Sequence, residues 1–372
     1  MVHPVLRTIA YCVRMAPLVL AVLPATCLIS LGCAEDDLLE RTIKWPAKEL
    51  DVASLGASGV SIFAVSKNPK SLEVWQWSDK TIAKRYQTAV AEETLSVAIA
   101  GDNTWISHLW DRKTEQADLS VGDLRTGRTS GRWRLSRDWY TPLGQTSANG
   151  KHVAVWATPE SNSPLQPEDG AIARIGLVSA KAETVEWAAL LTSKRTGPEA
   201  MIRRVVPSDD GSHVAVAGWE NGVAMVDTRK KRVAWIIKPR GERAVKGVAF
   251  TPDSKMIYAG GATGALYGMK AETGELVSTW WANPSGDDSE YWHEITTVSV
   301  SPDGRFVAVG TVPDGLVFVY STKDTRRRLL HPCGPKGGLV DFLSFSPDSN
   351  RLATQADRQL KVWNLSEKTA GR

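Results

Sequence analysis

One short turn recurs along this chain, and each copy is followed by a strand of the same shape. Ala57-Ser58-Gly59 precedes VSIFAV, Gly101-Asp102-Asn103 precedes TWISH, Ala148-Asn149-Gly150 precedes KHVAV and Asp209-Asp210-Gly211 precedes SHVAV. Pro252-Asp253-Ser254, Pro302-Asp303-Gly304 and Pro347-Asp348-Ser349 precede KMIYA, RFVAV and NRLAT. Three residues after each turn stands an aliphatic: Ile62, Ile106, Val153, Val214, Ile257, Val307 and Leu352. The unit is clearest in VSVSPDGRFVAVGTVPDGLVFVY (298–320), where apolar residues alternate in three successive runs and Pro-Asp-Gly punctuates twice. That is the pattern of antiparallel strands joined by tight turns. One such unit cannot bury both of its faces, so it requires neighbours like itself.

The last turn residues fall at intervals of 43 to 50 residues, except for 61 between Gly150 and Gly211. Seven modules at a period in the forties predict an all-β, seven-bladed β-propeller of four-stranded antiparallel blades. The long interval is read as one blade with insertions, notably the polar, Pro-rich 158–170. First strands are expected near 50–55, 95–100, 143–148, 203–207, 246–251, 296–301 and 341–346. Third strands are expected near 72–77, 118–124, 171–178, 222–227, 265–270, 316–320 and 359–365, with Thr126-Gly127 and Thr273-Gly274 turning into fourth strands.

The unit resembles the blade of the WD-repeat (β-transducin-type) family, best in 251–275, 301–324 and 346–368. In that family a Trp-Asp pair closes the third strand. Here the pair is read as Trp75-Gln76, Gly122-Asp123, Gly176-Leu177, Val226-Asp227, Gly268-Met269, Val319-Tyr320 and Trp363-Asn364. No Gly-His dipeptide precedes a first strand, so the family's buried His/Asp/Ser/Trp network is not expected. The resemblance implies that turns after first and third strands share one face of the ring. It also implies that loops after second and fourth strands share the other.

LKVWNL (360–365) reads as the third strand of the last unit, and only SEKTAGR follows it. That blade therefore lacks an outermost strand, while RTIKWP (41–46) supplies one too many at the start. Residues 40–45 are expected to pair with the last blade and close the ring, protecting a free sheet edge.

Residues 1–33 are of different material. Arg7 and Arg14 are the only charges before an apolar run to Cys33, and AEDD follows. This is the pattern of an export signal. Ser30-Leu31-Gly32-Cys33 resembles a bacterial lipobox, with Ser30 where that motif has Leu, and implies acylation of Cys33. An ordinary cleavage site at Gly32-Cys33-Ala34 and an uncleaved anchor over 15–32 are the alternatives. All three place the protein in the cell envelope, periplasm or medium. Residues 34–39 then form a tether and 40–372 a single propeller. Loss of Cys12 and Cys27 with the signal leaves Cys333 as a lone thiol, which allows no intrachain disulfide. Net charge is +4, too slight for a nucleic-acid partner.

The loop face collects the unusual segments. WANPSGDDSEYWHE (281–294) carries Trp281, Asp287, Asp288, Glu290, Tyr291, Trp292 and His293, and Trp110, Trp139, Tyr140 and Trp219 are placed on the same face. Large rigid rings beside acids make a binding hot spot for a protein partner; the alternative is that they cap blade ends. A hard-cation reading of Asp287, Asp288, Glu290 and His293 ranks below a solvated acidic loop, and no cofactor is expected. His152 and His213 occupy equivalent strand starts, and His108 is read as a packed residue of a second strand. The opposite face carries two basic runs, Arg229 to Arg232 and Lys323 with Arg326, Arg327 and Arg328. No GxSxG, HExxH or phosphate-cradling loop occurs. The expectation is a non-enzymatic interaction scaffold. The alternative is a lactonase- or quinoprotein-like propeller enzyme with a site at the central channel, which needs carboxylates or histidines converging from several first strands.

Overall fold

In the computed structural model the recurring turn is closed by its own side chains. Ser301 Oγ donates to Asp303 Oδ1 at 2.8 Å, that oxygen also accepts the Arg305 amide at 2.9 Å, and the Phe306 amide donates back to Ser301 Oγ at 2.9 Å. The same three bonds recur about Ser147 and Asn149, Ser208 and Asp210, Thr251 and Asp253, and Ser346 and Asp348. The last turn residue has positive φ each time: 76° at Gly150, 69° at Gly211, 60° at Ser254, 71° at Gly304 and 60° at Ser349. Short polar side chains that bond the backbone two residues on are what make this tight reversal stable. The aliphatics three residues past the seven turns are all 0% exposed.

The structure describes residues 39–366 apart from 45–51, 59–60, 68–69, 78–81, 90, 92–93, 101–103, 112–115, 135–138, 141–142, 160–170, 180–184, 193–201, 219–221, 243, 283–292, 324–326, 331–336, 341 and 357–358. After β1 (Leu39–Lys44) come β2 (Val52–Ser58), β3 (Ser61–Lys67), β4 (Lys70–Trp77) and β5 (Ile82–Ala89), then β6 (Thr94–Ala100), β7 (Thr104–Asp111), β8 (Gln116–Asp123) and β9 (Arg128–Arg134). The third group is β10 (Trp139–Tyr140), β11 (Leu143–Thr146), β12 (His152–Pro159), β13 (Ala171–Ser179) and β14 (Glu186–Thr192). The fourth is β15 (Ile202–Pro207), β16 (His213–Gly218), β17 (Gly222–Asp227) and β18 (Arg232–Ile237); the fifth is β19 (Val245–Phe250), β20 (Met256–Gly261), β21 (Ala265–Lys270) and β22 (Leu276–Trp281). The sixth is β23 (Glu294–Val300), β24 (Phe306–Val312), β25 (Val317–Ser321) and β26 (Arg327–Leu330), and the last is β27 (Leu343–Phe345), β28 (Arg351–Ala356) and β29 (Gln359–Asn364).

Each group makes its own antiparallel sheet, so the described residues form seven sheets and no helix, the architecture of a β-propeller. The third sheet has an extra member, because β10 and β11 both pair with β12. This accommodates part of the long interval. The last sheet takes its fourth strand from the other end of the chain: β1 lies against β29, with Leu39 opposite Trp363 and Lys44 opposite Gln359. That strand begins at Leu39, one residue before the expected boundary.

Successive sheets pack through their first strands, β2 on β6, β6 on β11, β11 on β15, β15 on β19, β19 on β23 and β23 on β27. Between sheets the gaps are filled by side chains that the alternation marks as apolar. Met225, Val245, Ile257 and Met269 pack between the fourth and fifth sheets. Leu266, Ile295, Val307 and Phe318 pack between the fifth and sixth. There the Trp280 ring is stacked between Tyr258 (5.5 Å) and Tyr320 (5.4 Å), flat rings being well suited to a wedge. Burial of each large apolar side chain contributes about 1.5–3 kcal/mol.

The register corrects four closing pairs. Opposite the aliphatics three residues past the turns, Val121-Gly122, Val178-Ser179, Met269-Lys270 and Tyr320-Ser321 take the places that the alternation assigns to Gly122-Asp123, Gly176-Leu177, Gly268-Met269 and Val319-Tyr320. The cause is that third strands are buried along their whole length, as in Gly222–Asp227, which removes the period-two signal that sets the phase. The Trp105 ring lies over Gly122 of the adjacent strand, so close that the site leaves no room for a Cβ. One indole of a third strand is tied inside its sheet. Trp363 Nε1 donates to Thr354 Oγ1 at 2.9 Å inside the last sheet.

Candidate functional site

Strand direction assigns the two faces. In each sheet the first-to-second and third-to-fourth connections emerge on one side, here the turn face. The second-to-third connection and the run into the next sheet emerge on the other, the loop face. Neighbouring turns touch, which places them around one centre. The Asn149 amide donates to Asp209 Oδ1 at 2.8 Å and Asn149 Nδ2 to the Asp209 carbonyl at 2.7 Å, while the Asp303 amide donates to Ser349 Oγ at 3.1 Å.

On the turn face the carboxylates are already committed. Burial opposes ionisation of Asp210, but hydrogen bonds from Ser208 and Ser212 and the nearby His213 ring outweigh it and hold the carboxyl at about 2. Burial likewise opposes ionisation of Asp303 and Asp348, and bonds from their own turns bring both below the ordinary range. Asp209 goes the other way, raised by burial despite the amides of Asn149 and Ala148. Burial lowers His152, whose ring lies over Gly211 and near Asp210 and Asp209.

The loop face is built differently in each blade. At the entry to the sixth sheet His293 is only 5% exposed. Its Nδ1 lies 2.9 Å from Asp314 Oδ2 in the turn between β24 and β25, and its ring meets Phe318 edge-on. At the entry to the fifth sheet, one position earlier in the strand register, stands Glu242, 4% exposed, its Oε2 accepting from Thr263 Oγ1 at 2.6 Å and from Tyr267 OH at 3.4 Å. Burial and then the Glu242 charge push Tyr267 up to about 12.

At the start of the first strands a bulge turns one residue out of the ladder. Arg203 occupies it in β15, Lys246 in β19 and Thr296 in β23. Lys246 Nζ pairs with Glu294 of the next blade. Burial lowers the Lys246 ammonium, and repulsion from Arg203 lowers it further. Thr296 Oγ1 donates across to the Val340 carbonyl. Two cations, a carboxylate and a hydroxyl from three adjacent blades thus gather where the first strands begin, a polar mouth suited to holding a partner's polar groups.

The residues read from the sequence as a binding patch meet different fates. Trp281 ends β22, is half-buried against the core of the fifth sheet, and its carbonyl accepts from Tyr320 OH at 2.8 Å. His293 is buried at the entry of the sixth sheet, beside Asp314 and Phe318. Strand direction brings Trp110 at the end of β7, Trp139 and Tyr140 in β10 and Trp281 to the same face. Trp219, Asp287, Asp288, Glu290, Tyr291 and Trp292 lie outside the described residues, as does Cys33. Arg203, Lys246, Glu294 and Glu242 belong to the site and are missing from the sequence reading. The signal for Arg203 and Lys246 is a charged residue eight positions before the turn marker, Gly211 or Ser254. Glu242 has none, since PRGERA reads as a solvated loop.

The family described as "WD domain, G-beta repeat" (WD40) matches residues 289–321 and 327–364. The chain is similar to "Echinoderm microtubule-associated protein-like 2" of Homo sapiens, 28% identical over 126 residues, and of Rattus norvegicus, 27% identical over 128 residues. These alignments take in 33% and 34% of this chain and 18% of either relative, so the chain matches about a fifth of their length. In the structure titled "Crystal Structure of Mitotic Checkpoint Complex", a chain superposes with a TM-score of 0.62 at 17% identity, covering 94% of this chain and 97% of that one. That likeness carries the fold.

Proposed function

We propose that this protein is a non-enzymatic interaction scaffold of the WD-repeat kind, exported and held at a membrane through an acylated Cys33, with the loop face as its protein-binding surface. One observation carries the reading: strand direction delivers the Trp110, Trp139–Tyr140 and Trp281 segments to a single face, the one on which Arg203, Lys246 and Glu294 form the polar mouth. Aromatic area ringed by polar groups is the composition of protein-binding hot spots. The relatives add support by analogy, one by a name that associates it with microtubules and the other as part of a complex.

The β1–β29 pairing supports a closed ring. Only eight residue steps separate Lys44 in the last sheet from Val52 in the first, a reach of at most ~29 Å. The N-terminal strand thereby ties both ends of the blade series together and covers an edge that would otherwise recruit another chain.

Replacement of Trp292 by Ala is expected to weaken recovery of a protein partner without changing the melting temperature, while Glu272→Gln on the turn face leaves recovery intact. Equal recovery by all three forms contradicts the assignment of the face. Mass spectrometry of the mature N-terminus tests the attachment, with a diacylated Cys33 expected. The channel-enzyme reading requires carboxylates or histidines from several first strands. The entries of β15, β19 and β23 present Arg203, Lys246 and Thr296, with Glu294 paired to Lys246.

A further inference from the structure

Strand β1 enters the last sheet from a defined side. It runs antiparallel to β29, and Leu39 lies opposite Trp363 near the end where β29 reaches the turn face. The chain preceding Leu39 therefore joins the propeller at the turn face.

The outer rim of that face is basic. Arg125 and Arg128 are exposed after β8; Arg229, Lys230, Lys231 and Arg232 are exposed between β17 and β18; Lys323 is exposed after β25. Opposing charges on this face are largely spoken for. Asp123 accepts the amides of Arg125 and Thr126, and Asp227 those of Arg229 and Lys230. The inner aspartates Asp210, Asp253, Asp303 and Asp348 each accept bonds within their own turns. In the fifth blade Lys270 pairs with Glu275 at 2.7 Å, beside Glu272. The longest run lies on the outer rim of the fourth blade, where four consecutive cations gather about Asp227, which pairs with Lys230 at 3.1 Å. Asp209 and Asp210 lie further in, in the turn between β15 and β16.

From the coincidence of chain entry and basic rim we propose that the turn face docks on an anionic lipid surface, Arg229 to Arg232 meeting the headgroups. The proposal rests on the membrane attachment put forward above and adds an orientation: turn face toward the bilayer, loop face toward partners. Negatively charged headgroups attract lysine and arginine within a Debye length of the surface, about 8–10 Å. A tether of residues 34–38 spans at most ~18 Å, so attachment at Cys33 holds the rim at high effective concentration over the headgroups. Entry at the loop face would place the same cations a full strand length further away.

The test uses the full-length chain reconstituted into phosphatidylcholine vesicles with and without phosphatidylglycerol. An amine-acetylating reagent is applied, and labelling is read peptide by peptide. Lys230 and Lys231 are expected to react at least ~10-fold more slowly on the anionic vesicles, with protection abolished by high salt and reduced in an R229Q/R232Q variant. Lys238, exposed at the loop-face end of β18, is expected to react equally in both. If the chain floats with the vesicles but Lys230 and Lys231 label alike on both lipids, docking is overturned and the attachment stands. If the chain does not float at all, both readings fall. Equal protection on neutral vesicles also overturns the proposal, and assigns the rim to a protein contact.

Discussion

The two faces of this propeller follow different rules. On the turn face five described turns repeat one hydrogen-bonded arrangement, with a Ser or Thr, an Asp or Asn two residues on, and a positive φ at the next position. On the loop face the entries to neighbouring sheets hold different solutions, His293 with Asp314 in one blade and Glu242 with Thr263 and Tyr267 in the next. Repetition marks the part that every blade needs in order to fold. Variation marks the part free to acquire a partner.

The largest expected effect tests what both faces share, the packing between sheets. Trp280→Ala removes the ring held between Tyr258 and Tyr320 and is expected to cost ~3–5 kcal/mol in chemical denaturation. A loss below 1 kcal/mol would mean that the sheets are not held together by this wedge.

Acid separates the interior from the turn face. His108 in β7 is fully buried, and burial lowers its pKa to about 4. The unfolded chain takes up that proton near pH 6.5 while the folded chain resists, so this stability is complete above 6.5. It is lost as pH falls through 4, by about 3 kcal/mol. The turn carboxylates have depressed values, Asp210 at about 2. Their contribution is present above the unfolded value of ~3.9 and disappears only as pH falls toward 2. Denaturation midpoints measured from pH 7 to 2 are expected to show two separate declines, the first reduced in His108→Gln and its remainder carried by His152, which burial also lowers. A single decline below pH 4 in the parent protein would contradict the interior assignment.

Smaller substitutions sharpen the contrast between faces. Glu242→Ala strips the partner of buried Tyr267 at ~1–3 kcal/mol, and His293→Ala is expected to cost a different amount because its partner, Asp314, is exposed. Ser208→Ala, Ser301→Ala and Ser346→Ala are expected to cost about 1 kcal/mol each, alike to within a few tenths by thermal melts. Unequal costs among the three serines would erase the distinction between a uniform and a varied face.

This division also governs what could be read from the sequence. The turns are local, so Pro-Asp-Gly and its variants announce themselves, and Ile62 through Leu352 fall into the core as the spacing requires. The strand against β29 was legible because a blade with three strands and a terminus with one are complementary. Phase inside the third strands was not legible, since a strand buried on both sides shows no alternation. His293 misleads for a related reason. It adjoins a polar loop, and its ring meets Phe318, which the sequence places 25 residues further on. Lys246 and Arg203 sit on strands that read as apolar, and the bulge that turns them outward is set by pairing with the second strand.

The most direct test of the account places a photo-cross-linking residue, in the cell, at exposed positions of the two faces: Arg240, Pro313 and Leu339 on the loop face, and Arg125, Glu272 and Asp348 on the turn face. The account predicts protein adducts from the first set and none from the second. Protein adducts from the turn-face set alone would contradict it.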